Sequence, residues 1–106
     1  MERGCFTYHI IEGTEYEYKK RHDEIWPEMR AALKEAGFSN YTLFRRGTQI
    51  VTYGEFEPNL ETVFARLNKM EVLAKWLEWL DGILDVEPGG FEEGELVTFD
   101  EVWHIE

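Results

Sequence analysis

Residues 3–11, RGCFTYHII, are rich in aromatic and β-branched side chains and predict a β-strand. Thr14 followed by Glu17 has the spacing of a capping box, so a helix is expected from about Glu15. Tyr18, His22, Ile25, Met29, Leu33 and Ala36 recur at helical spacing and share one face. Pro27 lacks the amide that would bond the Asp23 carbonyl, and it restricts Trp26. The helix should therefore break near residues 24–26 and restart with Pro27 in its first turn. Gly37 is placed to cap the end.

Residues 38–57 read as a hairpin. Tyr41, Leu43 and Arg45 alternate with Thr42, Phe44 and Arg46, Gly47 sits in the turn, and the return strand starts near Gln49. Ile50, Thr52 and Phe56 alternate there with Val51 and Tyr53. Both faces carry large side chains, which predicts helices on one side and a second subunit or a cavity on the other. Asn59 is a helix N-cap after Pro58, and a helical pattern follows to about Leu84. Leu60, Val63, Phe64 and Leu67 form one stripe; Met70, Leu73, Leu77, Leu80 and Leu84 form another, with Asn68 and Lys69 marking a join. Residues 85–95 combine one proline, three glycines and five acidic residues and are expected to form a loop. Residues 96–106 close the chain as a last strand.

With no repeat and no linker, one domain over residues 1–106 is expected. The order βαββαβ predicts an α+β ferredoxin-like sandwich, two helices on one face of a four-stranded antiparallel sheet. The aromatic second face points to two sheets meeting in a homodimer.

Composition narrows the function. Twenty-two acidic against eleven basic residues give a net charge of -11, which argues against nucleic acid, anionic membrane surfaces and acidic substrates. A small neutral ligand is the easier partner. Apolar residues at 43% exceed what a disordered chain carries. A single cysteine, Cys5, excludes an intrachain disulfide and fits a reducing, cytoplasmic setting. The first residues lack an apolar run long enough for a signal peptide, and no stretch reaches membrane-spanning length.

The three histidines, His9, His22 and His104, lie far apart, and no ligand-spaced pair suggests a metal. Cys5, in an apolar strand, reads as a buried inert thiol. There is no phosphate-binding glycine loop. These absences favour chemistry without a metal or bound cofactor. Tyr18 and His22, one helical turn apart, have two readings: an acid/base pair gripping a small ligand, or two amphipathic packing residues. Trp76 and Trp79 flank their leucine stripe and suit either a sugar ring or core packing. Tyr41 opens the hairpin beside Asn40, and Glu92, Glu93 and Glu95 read as a solvated loop.

Taken together, YKKRHDEIWPEMRAALKEAG, NYTLF, KWLEWL and the closing EVWHI resemble the L-rhamnose mutarotase family over nearly the whole chain. The resemblance implies a dimeric α+β barrel that interconverts the α and β anomers of a 6-deoxy-hexose, L-rhamnose first. It further implies that His22 is the catalytic proton donor and that Tyr18, Tyr41 and Trp76 contact the sugar. The family's second tryptophan is Leu77 here, with Trp79 two residues on, which leaves the sugar platform and the preferred sugar open. The acceptor of the anomeric proton is open among water, Tyr41 and His104. An oxygenase or lyase on the same scaffold, or a non-catalytic binding module, remains the alternative.

Overall fold

In the computed structural model, residues 1–85 and 97–106 are described. The elements run β1 (Glu2–His9), α1 (Glu15–Asp23), α2 (Pro27–Ala36), β2 (Phe38–Arg46), β3 (Gln49–Phe56), α3 (Leu60–Asn68), α4 (Glu71–Trp79) and β4 (Val97–Phe99). The strands form an antiparallel sheet in the order β2-β3-β1-β4. This is the ferredoxin-like order expected, with each helical crossover split into two short helices. The expected loop at 85–95 falls, beyond Asp85, outside the described residues.

Period-two burial sets the layers. In β3, Ile50, Thr52, Gly54 and Phe56 are buried under the helices, while Gln49, Val51, Tyr53 and Glu55 lie on the other face. Gly4 and Gly54 pair across the β1–β3 ladder and leave room for the Phe56 ring. A β-carbon at either glycine would come within 2.7 Å of that ring. Phe38, Phe56 and Phe64 pack edge-on or tilted above this floor.

Three helix boundaries follow the chemistry expected of them, and the start of α1 does not. Pro27 opens α2 behind an extended Trp26 (φ -62°, ψ 140°). Gly37 ends it at φ 118°, where a β-carbon would collide with the Glu57 carbonyl oxygen. Asn59 caps α3 by accepting from the Thr62 amide at 2.8 Å. At α1 the expected capping box does not form. The Thr14 hydroxyl donates instead to the Ile11 carbonyl (2.6 Å), and Glu17 pairs with Arg21 (2.9 Å).

Three further expectations are corrected. The second helical stretch ends at Trp79, and Leu84 instead bridges to Ile10. The closing strand spans only Val97–Phe99. Its register pairs Cys5 with Phe99, so residues 103–106 would fall beyond the start of β1 at Glu2. Cys5 is not a buried core thiol, because it belongs to the outward row of β1 and is half-buried. No helix among the described residues is long and apolar enough to cross a membrane.

Candidate active site

Between the sheet and the helices lies a cavity of about 480 Å³, a size typical of small-molecule sites. Its wall is mostly apolar, with Phe6, Ile25, Met29, Leu43, Phe64, Leu77 and Leu80 among the lining residues. The polar groups on it are few. They include His22, Tyr8 and Tyr41, with exposed Arg30, Lys34, Ser39 and Asn40 at the rim.

Each functional side chain is aimed by a local device. Strand alternation puts Phe6 and Tyr8 on the inner face of β1. In β2, Phe38 faces inward at an even position, yet Tyr41 and Leu43 do so at odd ones. A register shift between Ser39 and Thr42 reverses the parity there, with Asn40 at φ 47°. The Asn40 side chain donates to Glu55 Oε1 at 2.8 Å, which holds the bulge. On the helical side, the break after α1 leaves His22 in a last turn closed by the Glu24 amide on the Lys20 carbonyl (3.0 Å).

His22 is fixed by its neighbours. Its Nδ1 lies 2.9 Å from the Tyr18 backbone carbonyl, which can only accept, so Nδ1 carries the hydrogen. In the neutral ring Nε2 then holds a lone pair. Burial lowers the imidazole pKa below its ordinary 6.5, opposed only in part by the Tyr18 carbonyl and Asp23. The ring lies 4.3 Å from that of Tyr18 and edge-on to Trp76 at 5.4 Å.

The hydroxyls of Tyr8 and Tyr18 are hydrogen-bonded to each other. Burial, and then the neighbouring phenols, raise the pKa values of Tyr8 and Tyr41 well above the usual phenol range. Burial also raises that of Tyr18, although the bond from Tyr8 works the other way. All three are neutral donors at pH 7.

The predicted residues therefore separate. His22, Tyr41 and Trp76 line the cavity; Tyr18, 5% exposed, is not a lining residue but bonds through its hydroxyl to Tyr8, which is. Trp76 is buried in the core instead of flanking its stripe, because α4 turns Leu73 and Trp76 inward, with Leu80 buried just past its end. Trp79 stays off the cavity wall, tilted against Trp26 (5.1 Å) and Trp76 (5.4 Å) under the Arg21 guanidinium. His104 sits on an exposed segment outside the cavity. Glu92, Glu93 and Glu95 lie outside the described residues. Tyr8 was missed, though the Phe6–Tyr8–Ile10 alternation places it inward. No three His, Cys, Asp or Glu side chains gather as a metal-binding set among the described residues.

A model of the L-rhamnose mutarotase family matches residues 3–105. The chain belongs to the L-rhamnose mutarotase family. An L-rhamnose mutarotase of Lachnoclostridium phytofermentans is 33% identical over 106 residues, covering all of both chains. One from Listeria monocytogenes is 33% identical over 88 residues, 83% of this chain and 85% of that one. The crystal structure of an L-rhamnose mutarotase from Formosa agariphila superposes with a TM-score of 0.82 at 26% identity, over the full length of both chains. Within this family frame, the departure at Leu77 sits on the cavity wall itself, whereas Trp79 does not replace the missing indole there.

Proposed function

We propose that this chain is an isomerase that interconverts the α and β anomers of L-rhamnose by acid/base catalysis. The observation that supports it most directly is a neutral, tautomer-fixed His22 on the wall of a largely apolar cavity in a member of this family. Family membership also weighs against the oxygenase, lyase and pure binding readings. Mutarotation needs no covalent intermediate with the enzyme. The anomeric O1–H proton leaves, the C1–O5 bond breaks, the aldehyde turns about C1–C2, and the ring closes on the other face.

His22 Nε2 is suited to take the anomeric proton on opening and to return it on closing. The role of proton donor implied by the family resemblance thus belongs to the closing half of the cycle. Tyr41 and Trp76 shape the ring's surroundings, and Leu77 offers an aliphatic surface where the family has a second indole.

Saturation-transfer NMR between the anomeric signals of L-rhamnose, with and without protein, tests both the reaction and the proton direction. Wild type should accelerate exchange. After subtraction of the uncatalysed rate, kcat/KM should rise with pH through a midpoint below 6.5 and then stay level through pH 8. The sign follows from the need for neutral His22, whose folded pKa is lowered. A rate that falls as pH rises through that range would instead identify His22 as a cationic donor in opening. No acceleration of any reducing sugar would sink the mutarotase reading.

We also infer a homodimer formed through the outer sheet face. In support, the register sets Cys5, Phe99 and Tyr53 in one outward row and Thr7, Val97, Val51 and Phe44 in another. Phe44, Val97 and Phe99 are each at least half exposed, as are Val102, Trp103 and Ile105 beyond them. Sedimentation should give about twice the 12.6 kDa chain mass, and Phe99→Arg should lower it; a wild-type monomer at micromolar concentration refutes the interface. A cytoplasmic setting is inferred from the lone free thiol of Cys5, and recovery of the native protein outside that fraction would exclude it.

A further inference from the structure

We infer that Arg21, acting through Trp79, is a positioning residue that holds His22 in place beside Trp76. Its effect on rate rests on the mutarotase reading above; its contacts do not. The helix that carries His22 is weakly anchored by apolar burial. Of the nine residues of α1 only Tyr18 is buried, and the helix ends one residue after His22. A hydrophobic face alone therefore does not fix that last turn.

Arg21 supplies the missing anchor. It is the sequence neighbour of His22, and its side chain is only 23% exposed. Its Nε donates to Glu17 Oε1 one turn back (2.9 Å). Its Nη1 donates to the Trp79 backbone carbonyl, and the guanidinium centre lies 5.0 Å from the Trp79 ring centroid. That carbonyl belongs to the last turn of α4, where carbonyls lack partners within the helix and favour a cation. Aromatic contacts carry the link onward. Trp79 packs on Trp76 at 5.4 Å, and Trp76 meets His22 edge-on at 5.4 Å. Trp26, between α1 and α2, closes the other side, 5.1 Å from Trp79 and 5.4 Å from Trp76. Arg21, Trp79, Trp76 and His22 thus form a closed ring of contacts that ties the end of α1 to α4. Trp79 gains a role without reaching the cavity, since its indole is the face on which Arg21 is seated. Lysine cannot reproduce the arrangement, because an ammonium has no planar fork that stacks on an indole while donating in two directions.

The test compares wild type with Arg21→Lys, Trp79→Leu and the double variant in the full chain. Two readouts are taken: anomer exchange of L-rhamnose, and NMR titration of the imidazole protons without sugar. Arg21→Lys keeps the charge, so a moved His22 midpoint reports hydration of the ring and not a lost cation. Burial holds that midpoint below 6.5 against the Tyr18 carbonyl and Asp23, so a loosened α1 should let it rise toward 6.5. His9 and His104, both exposed and outside the ring of contacts, should titrate as in wild type. In Arg21→Lys, kcat should fall about tenfold with KM little changed, as expected when a reacting group is displaced by a fraction of an ångström. Trp79→Leu should resemble it, and the double variant should be no slower than the slower single, since the two act in series. The thermal midpoint serves as the folding control. A folded Arg21→Lys within threefold of wild type overturns the inference. So does an unmoved His22 midpoint, which would make Arg21 a stability residue only, or a loss confined to KM. If wild type accelerates no sugar, the mutarotase reading falls and the His22 titration alone decides the inference.

Discussion

Replacing His22 by alanine should slow L-rhamnose anomer exchange by at least about 10²-fold, the usual size of an acid/base contribution. The loss should appear mainly in kcat. His22 offers the sugar one ring nitrogen, while much of the cavity surface comes from Phe6, Met29, Leu43, Phe64 and other apolar groups that the substitution leaves in place. Stability should change little by comparison, because His22 is only partly buried and its hydrogen bond to the Tyr18 carbonyl stays within its own helix. His22→Gln sharpens the result. Glutamine can still hydrogen-bond an anomeric hydroxyl but cannot accept its proton near neutrality, so it should bind the sugar and remain as slow as His22→Ala. Undiminished exchange in either variant, measured by saturation transfer on folded protein, would remove His22 from the chemistry. The proton would then have to pass through the phenol cluster or through water.

Much of the scaffold behind that experiment was legible in the chain. Pro27, Gly37 and Asn59 act through backbone geometry that few other residues reproduce, so their positions translate directly into helix boundaries. Strand alternation in β3 likewise follows from side-chain period alone. The elements that escaped sequence reasoning depend on competition between partners. Thr14 and Glu17 have the capping-box spacing, yet the nearer Ile11 carbonyl and the Arg21 guanidinium claim their oxygens. In α4, apolar residues at 73, 76, 77 and 80 make a stripe too wide for its centre to be read, and the fold turns Trp76 inward with Leu77 at its edge. The Tyr41 orientation depends on a bulge that no glycine announces; Asn40 adopts the positive φ there.

For the site, Tyr18, His22, Tyr41 and Trp76 were named through family resemblance, since spacing alone favoured packing over chemistry. Tyr8 was named by neither, although the Phe6–Tyr8–Ile10 alternation turns it inward. Which of the two bonded phenols, Tyr8 and Tyr18, lines the cavity is a fact of tertiary packing between β1 and α1.

Phe56→Ala should cost stability on the order of 3–5 kcal/mol while leaving the chemistry of each folded molecule nearly intact. The side chain is fully buried, and two glycines paired across β1 and β3 form its floor. Neither glycine has a side chain that could swing into the void, and Phe38 and Phe64 are held by edge-on contacts with each other. The cavity left behind should therefore collapse poorly, which places the loss at the upper end for a phenylalanine. For a 106-residue chain that is a large share of a total stability of about 5–15 kcal/mol. Urea unfolding should show a lower midpoint at unchanged slope. Phe56 does not line the sugar cavity, so exchange per folded molecule should stay within a few-fold of wild type. A loss under about 1 kcal/mol would mean that the neighbouring rings refill the space. A rate loss as large as that of His22→Ala would mean instead that the Phe56 layer sets the position of Tyr41, which packs on Phe38 at 4.9 Å and lies against Gly54.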